Sequence, residues 1–152
     1  MNQSADNGMT EPSLPPVKIL FVCVGNACRS QMAEAWANHF GKDRVQALSA
    51  GTYPYGSIVD DTSTVMSEKG VSLEGHWSKG LRAIPLAEMD VVVRMGREVE
   101  VPLPANLKGC AIEWNIPDPF ARGLETFRNV RDMIERQVLV LLADLLTPDD
   151  PA

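Results

Sequence analysis

Short apolar runs alternate with amphipathic segments along this chain, and this alternation constrains the fold more than any other feature of the sequence. The runs "VKILFVC", "VQALSAG", "DVVVRM" and "CAIEWNI" have the length and composition of strands. Strands that alternate with helices form a mostly parallel sheet with right-handed crossovers. We therefore expect an α/β three-layer sandwich, with a four-stranded parallel sheet and helices on both faces.

The amphipathic segments predict three helices. The first follows the loop after the first strand and contains "RSQMAEAWANHF". In "DDTSTVMSEKG", either Asp60 or Asp61 can cap a second helix, which Gly70 would terminate. The third is a long amphipathic helix over 124–146. These helices would form the outer layers of the sandwich.

Length and charge limit the domain organisation and the partners. The 152 residues fit one globular domain, with residues 1–16 as a disordered leader, 17–147 as the folded domain and 148–152 as a tail. A net charge of −6 argues against nucleic acid or an anionic membrane as the main partner. No apolar run reaches the roughly 18 residues of a membrane span, and the first residues lack the pattern of a secretory signal. We expect a cytoplasmic protein.

Cys23 ends the first strand, which places its thiol at the edge of the sheet where such folds bind ligands. The next five residues form a loop whose backbone N–H groups converge at a helix N-terminus and can bind an oxyanion: Val24, Gly25, Asn26, Ala27 and Cys28. Gly25 and Asn26 suit the positive φ angles of such a tight loop. Arg29 can bind two oxygens of a tetrahedral oxyanion, while Ser30 can donate a hydrogen bond to the Cys23 sulfur. The positive field of the loop also stabilises a nucleophilic thiolate.

The segment "CVGNACRS" resembles the Cys-x5-Arg-Ser phosphate loop of the low-molecular-weight protein tyrosine phosphatase family. It resembles the arsenate reductase branch of that family more closely, because that branch commonly continues "SQMAE". The motifs "SAGT", "GHWSK" and "IPDPF" follow in the family's order, and the resemblance extends from about Lys18 to Leu146. It implies a phosphate loop after the first strand, with Cys23 as nucleophile and Asp118 as general acid.

The resemblance leaves two enzymatic functions open. Arsenate reductase is favoured by "SQMAE", by "GHWSK" and by the short interval between "SAGT" and "GH". Tyrosine phosphatase is favoured by the absence of the two further cysteines that thioredoxin-coupled reductases carry after the third strand, and by the spacing from Asp118 to Phe127. Tyr53 and Tyr55 could form an aromatic wall for an aryl phosphate. A phosphocysteine carrier and a non-catalytic oxyanion sensor are further alternatives. We expect arsenate reductase first, acting on arsenate, and phosphatase second, acting on a phosphate ester.

The resemblance also raises the question of the reductant. Thioredoxin-coupled relatives carry two further cysteines after the third strand, and this chain lacks both. Cys28 is a possible redox partner of Cys23, whereas Cys110 is expected to be a buried small hydrophobe, roughly 20 Å from the functional edge at ~3.3 Å per residue. We therefore expect no tightly bound cofactor. An external thiol such as glutathione or mycothiol would release arsenite, aided by a glutaredoxin-like or mycoredoxin-like protein.

Relatives of the thioredoxin type bind a potassium ion next to the loop. By resemblance, Asn26, Glu34 and Ser49 match three of its ligands, and Lys79 falls near a fourth that is usually an aspartate. A lysine ammonium at this position could replace the potassium ion. We therefore expect no metal site and little dependence on potassium.

Overall fold

A computed structural model describes residues 14–146, and its centre is a four-stranded parallel sheet in the order β2-β1-β3-β4. The strands are β1 Val17–Cys23, β2 Val45–Gly51, β3 Val91–Met95 and β4 Cys110–Trp114. The α-helices are α1 Arg29–Gly41, α2 Asp60–Ser67 and α3 Leu124–Leu145. Short 3₁₀ helices span Lys42–Arg44, Leu81–Ala83 and Leu86–Glu88. The predicted α/β fold is confirmed.

The core lies on both faces of the sheet, because successive side chains of a strand point to opposite faces. On one face, Phe21 packs in a cluster that includes Trp36 of α1 and Phe127 of α3. On the other face, Leu20 packs against Met89 in a smaller cluster with the segment around the last two 3₁₀ helices. The helical layers are therefore unequal: all three α-helices cover one face, and 3₁₀ helices and loops cover the other.

The register of the sheet brings the carboxyl ends of its strands together. Cys23 is paired with Gly51 of β2, and Val22 with Arg94 of β3. The loops that follow β1, β2, β3 and β4 therefore leave the same edge of the sheet. Because β1 is central, the Cys23 loop lies within reach of the segments that follow its neighbours.

Two local predictions, the cap of α2 and the burial of Cys110, are wrong, and a third, the disordered termini, lies largely outside the described residues. Neither Asp60 nor Asp61 caps α2, because Val59 holds the N-cap position without a side-chain bond and both aspartates lie in the first turn. Cys110 is exposed, contrary to the expected burial, since it begins a strand at the edge of the sheet. The predicted leader and tail fall largely on residues 1–13 and 147–152, outside the described part. Within residues 14–146, no helix is long and apolar enough to cross a membrane.

Candidate active site

The loop after β1 is fixed in position by hydrogen bonds that its carbonyl groups accept from neighbouring segments. The carbonyls of Cys23, Val24 and Gly25 accept hydrogen bonds of 2.8–3.1 Å from backbone N–H groups in segment 52–55. The Ala27 carbonyl accepts a bond of 2.8 Å from a threonine hydroxyl of α2. Because these carbonyls face outward, the N–H groups of the loop face inward toward the N-terminus of α1, where an anion is favoured.

Asn26 fixes the shape of the loop. Its φ angle is 50°, as expected for a left-handed position, and its side chain is fully buried. The amide nitrogen donates to Ser30 Oγ at 2.7 Å and to Ser49 Oγ at 2.9 Å. The amide oxygen accepts from the Lys79 backbone N–H and from Gln31 Nε2, both at 2.9 Å. All polar atoms of this buried amide are satisfied, so the loop is anchored to β2, α1 and segment 76–79.

The glycine that the loop depends on is Gly51, not the expected Gly25. Gly25 does not have a positive φ angle, so the prediction for this residue is wrong. A Cβ atom on Gly51 would lie 2.5 Å from the Val24 carbonyl oxygen and 2.9 Å from the Asn26 nitrogen. Only glycine permits this approach of the loop to β2. The "SAGT" motif was the signal for this residue in the sequence.

The thiol of Cys23 lies at the bottom of the loop, and its residue is 2% exposed. Its Sγ atom lies 3.0 Å from Ser30 Oγ. The Ser30 oxygen already accepts a hydrogen bond from Asn26 Nδ2, so its own hydrogen is free to point toward the sulfur. Such a donor stabilises a negative sulfur, which is the nucleophilic form.

Arg29, the first residue of α1, is buried beside the loop. Its Nη1 atom donates to the carbonyls of Met95 at 2.6 Å and Ile116 at 3.0 Å, at the ends of β3 and β4. Its Nη2 atom lies 3.1 Å from Glu98 Oε2 and 3.9 Å from Asp118 Oδ2. Nη1 is thus occupied by backbone carbonyls, and an oxyanion bound through Nε and Nη2 would share Nη2 with the Glu98 carboxylate. Glu98 was not predicted, because no local pattern marks it.

Asp118 and an aromatic pair border the mouth of a cavity of about 220 Å³. The backbone N–H of Phe120 donates to Asp118 Oδ1 at 3.1 Å, which orients the half-exposed carboxylate. The rings of Tyr55 and Phe120 meet edge to face, with centroids 5.7 Å apart. The cavity is lined by Cys23, Val24, Gly25, Ala27, Cys28, Arg29, Tyr53, Tyr55, Asp118 and Phe120. Most of the predicted site residues thus share one cavity, while Ser30 and Asn26 support it from behind.

Cys28 differs from Cys23 in its surroundings. Burial raises the pKa of the Cys28 thiol to about 12, although a hydrogen bond with Thr62 acts in the opposite direction. The thiolate, which is the nucleophilic form, is therefore disfavoured at Cys28. Cys28 is therefore a neutral thiol in the physiological range.

Lys79 lies behind the loop, next to the three residues that the resemblance assigned to a potassium site. Its ammonium lies 3.9 Å from Glu34 Oε1 and 3.5 Å from Ser49 Oγ, and it donates to the Trp77 carbonyl at 3.3 Å. Burial lowers the pKa of the Lys79 ammonium, and the neighbouring Glu34 carboxylate acts in the opposite direction. Ser49 in turn donates to Glu34 and accepts from Asn26. The four side chains form one connected network around a protein cation.

Comparison with known proteins places this site in a family. The sequence profile described as "Low molecular weight phosphotyrosine protein phosphatase" matches residues 18–149. The chain is 32% identical to the glutaredoxin arsenate reductase of Synechocystis sp. over 130 residues, which cover 84% of this chain and 98% of that protein.

Solved structures agree with this assignment. An arsenate reductase in the phosphate-binding state superposes with a TM-score of 0.76 and 30% identity, covering 84% of this chain and 98% of the other. The low molecular weight protein tyrosine phosphatase from T. tengcongensis superposes with a TM-score of 0.74 and 25% identity, covering 84% and 99%. The chain belongs to the low molecular weight phosphotyrosine protein phosphatase family.

Proposed function

We propose that this enzyme is an arsenate reductase that uses Cys23 as its nucleophile. The observation that carries the proposal is the Cys23 thiol, 3.0 Å from the Ser30 hydroxyl, inside a loop whose N–H groups face inward beside the Arg29 guanidinium. This arrangement binds a tetrahedral oxyanion and presents a sulfur nucleophile to its central atom. The glutaredoxin arsenate reductase of Synechocystis, a relative over most of both chains, supports the choice of arsenate.

The first step joins sulfur to arsenic. The Cys23 thiolate attacks the arsenic atom of arsenate, an S–As bond forms, and one As–O bond breaks. Asp118, whose carboxyl group lies at the same cavity, protonates the departing oxygen, which leaves as water. Arg29 and the inward N–H groups hold the remaining oxygens and their negative charge.

The second step requires a thiol from outside the loop. A thiolate attacks the Cys23 sulfur, the S–As electron pair passes to arsenic, and arsenite leaves as Cys23 forms a mixed disulfide. Cys28 is unsuited to this attack, because its pKa of about 12 keeps it protonated. Cys110 begins β4, at the end of the strand opposite to the site. We propose glutathione or mycothiol as this thiol, with a glutaredoxin-like or mycoredoxin-like protein that reduces the disulfide and restores Cys23.

Contacts behind the loop favour the reductase branch over the phosphatase branch. The two segments that resemble reductases, "SQMAE" and "GHWSK", bind each other in the fold. Gln31 donates to the Trp77 carbonyl at 2.9 Å, and its amide oxygen lies 2.9 Å from His76 Nδ1. Glu34 of the first segment lies 3.9 Å from the ammonium of Lys79 in the second. The two motifs thus form one structural unit that supports Asn26 and the loop.

Tyrosine phosphatase is the second candidate, and the mouth of the cavity favours it. The exposed rings of Tyr55 and Phe120 border a cavity of about 220 Å³, which is larger than a single oxyanion needs. An aryl group could pack against this aromatic pair while its phosphate occupies the loop. Asp118 would then protonate a phenolic oxygen, and water would hydrolyse a cysteinyl phosphate. A phosphocysteine carrier or a non-catalytic oxyanion sensor would not need a general acid, so the presence of Asp118 disfavours both alternatives. The cytoplasmic location remains a prediction.

Arsenite formation by the reduced enzyme tests the proposal. Arsenate is supplied with thioredoxin, with glutathione and glutaredoxin, or with mycothiol and mycoredoxin, and arsenite is measured directly. We expect turnover with one of the small-thiol systems and none with thioredoxin alone. We also expect Cys28→Ser to keep at least about half of the wild-type rate, because a protonated thiol does not drive the second step.

The other outcomes are equally informative. Loss of all turnover in Cys28→Ser would show that Cys28 performs the second step and would contradict the external route. Absence of arsenite in every system, together with Cys23-dependent hydrolysis of p-nitrophenyl phosphate, would replace the reductase with the phosphatase.

Lys79 supplies the cation behind the loop, so we expect turnover to change less than about twofold when potassium replaces sodium at constant ionic strength.

Lys79→Gln removes the partner of a mostly buried Glu34 carboxylate and is expected to lower the free energy of unfolding by about 1–3 kcal/mol. The variant should also gain a dependence on monovalent cations. Lys69→Gln, in the exposed turn after α2, is the matched control. A strong potassium dependence of the wild type would contradict the role of Lys79.

A further inference from the structure

Glu98 forms the closest ion pair of the Arg29 guanidinium. Its Oε2 atom lies 3.1 Å from Arg29 Nη2, compared with 3.9 Å for Asp118 Oδ2. The Arg29 side chain is 2% exposed, whereas that of Glu98 is 54% exposed. A solvent-accessible carboxylate thus reaches in to the buried cation that an oxyanion must also use.

The backbone after β3 is shaped to deliver this carboxylate. Gly96 has a φ angle of 136°, and a Cβ atom there would overlap Glu98 Oε1 and lie 3.0 Å from Arg29 Nη1. Only glycine leaves room for the Glu98 side chain to fold back onto Arg29. The turn is held by a backbone bond of 3.2 Å from Val99 to Gly96 and by a bond of 3.1 Å from Arg94 Nη1 to the Val99 carbonyl. Val99 itself is fully buried. The turn is therefore anchored, while the carboxylate remains accessible.

We propose that Glu98 competes with the oxyanion for Arg29 and thereby sets the affinity of the site for dianions. The inference rests on the proposed oxyanion site at Cys23 and Arg29. A bound dianion and the Glu98 carboxylate would both face the same guanidinium and repel each other, because both are negative. Binding must therefore weaken or break the Glu98–Arg29 pair, which lowers the affinity of the site for dianions such as inorganic phosphate.

The fold provides a place for the displaced carboxylate. Glu98 also lines a groove of about 400 Å³ next to the cavity, together with Thr52, Tyr53, Leu81, Glu100 and Pro102. Because the Glu98 side chain is half exposed, rotation into this groove requires no movement of the core. Glu100 lies in the same groove but has no ion pair with Arg29 among the described residues. It is the matched control for a change of one negative charge near the site.

Direct binding of inorganic phosphate tests the inference. We expect Glu98→Gln to bind phosphate about tenfold more tightly than the wild type in calorimetry, because one repulsive charge is removed while the shape of the side chain is retained. Glu100→Gln should change the affinity less than about twofold, since its charge does not contact Arg29. In Glu98→Gln, the KM for arsenate should fall by about the same factor as the dissociation constant for phosphate. The kcat of this variant should change by a smaller factor than its KM. A mere loss of structure would not tighten binding.

The possible results separate this inference from the proposed function. Unchanged or weaker phosphate binding in Glu98→Gln, with normal binding by the wild type, would overturn the competing role and leave the oxyanion site intact. Absence of phosphate binding in both proteins would overturn the site and the inference together. Tighter binding by Glu98→Gln and Glu100→Gln alike would reduce the effect to general surface charge and would also overturn it.

Discussion

Replacement of Cys23 by serine is expected to lower arsenite formation, and any hydrolysis of p-nitrophenyl phosphate, by at least about a thousandfold. In the proposed mechanism the Cys23 sulfur forms the covalent adduct, and a serine hydroxyl is a far weaker nucleophile at neutral pH. The Ser30 hydroxyl, the inward N–H groups and Arg29 remain in place, so the oxyanion site is kept. Inorganic phosphate should therefore bind the variant with an affinity within a few-fold of the wild type.

The exposed Cys110 offers a matched control for this experiment. Cys110→Ser makes the same chemical change outside the cavity and should retain full activity. Equal losses in Cys23→Ser and Cys110→Ser would contradict a role for Cys23 as nucleophile. Retained turnover in Cys23→Ser would do so directly.

Asp118→Asn is expected to lower kcat by about 10²- to 10³-fold, because the amide cannot protonate the departing oxygen. Asparagine keeps a side-chain oxygen that can accept the bond now donated by the Phe120 N–H, so the turn should persist. The loss should be largest for substrates with a basic leaving oxygen and small for aryl phosphates with an acidic phenol. The measurement is kcat across a series of aryl phosphates, together with arsenate.

Two readouts distinguish a general acid from a residue that only shapes the site. The thermal midpoint of Asp118→Asn should stay close to that of the wild type, and phosphate should bind at least as tightly, because the variant lacks a carboxylate near Arg29. A uniform loss across all leaving groups would contradict proton donation by Asp118. In that case its distance of 3.9 Å from Arg29 Nη2 would point to an electrostatic role.

Much of the fold was predictable, because strand and helix signals are local. Apolar runs with the length of strands predicted all four strands, and the first two have the predicted bounds at Val17–Cys23 and Val45–Gly51. Amphipathic spacing predicted the three helices. The predicted helix cap at Asp60 or Asp61 was wrong, since a suitable residue type does not establish cap geometry. The prediction that Cys110 is buried was wrong, because the exposure of a strand end depends on the position of the strand in the sheet and not on the residue type.

Within the candidate site, the residues of the loop were also open to prediction. The interval from Cys23 to Ser30 is short, so the chain itself holds the sulfur, the N–H groups and the guanidinium close together. The close approach at Gly51 and the neutral Cys28 thiol required tertiary structure, because they depend on the packing of β2 and α2 against the loop. Lys79 was connected with Glu34 and Ser49 by resemblance alone, and the structure supplies their contacts.

The sequence by itself determined the order of strands and helices along the chain, the loop from Cys23 to Ser30 and the aspartate turn that follows β4, because each is a pattern of nearby residues. Only the tertiary structure decided which groups from distant segments complete the site. The Glu98 carboxylate on Arg29, the Lys79 ammonium behind Asn26 and the aromatic pair at the cavity mouth all join residues far apart in the chain. The physical reason is that charge pairing and burial depend on distances in space. The parallel register of the sheet establishes these distances, and the local periodicity of the sequence does not determine them.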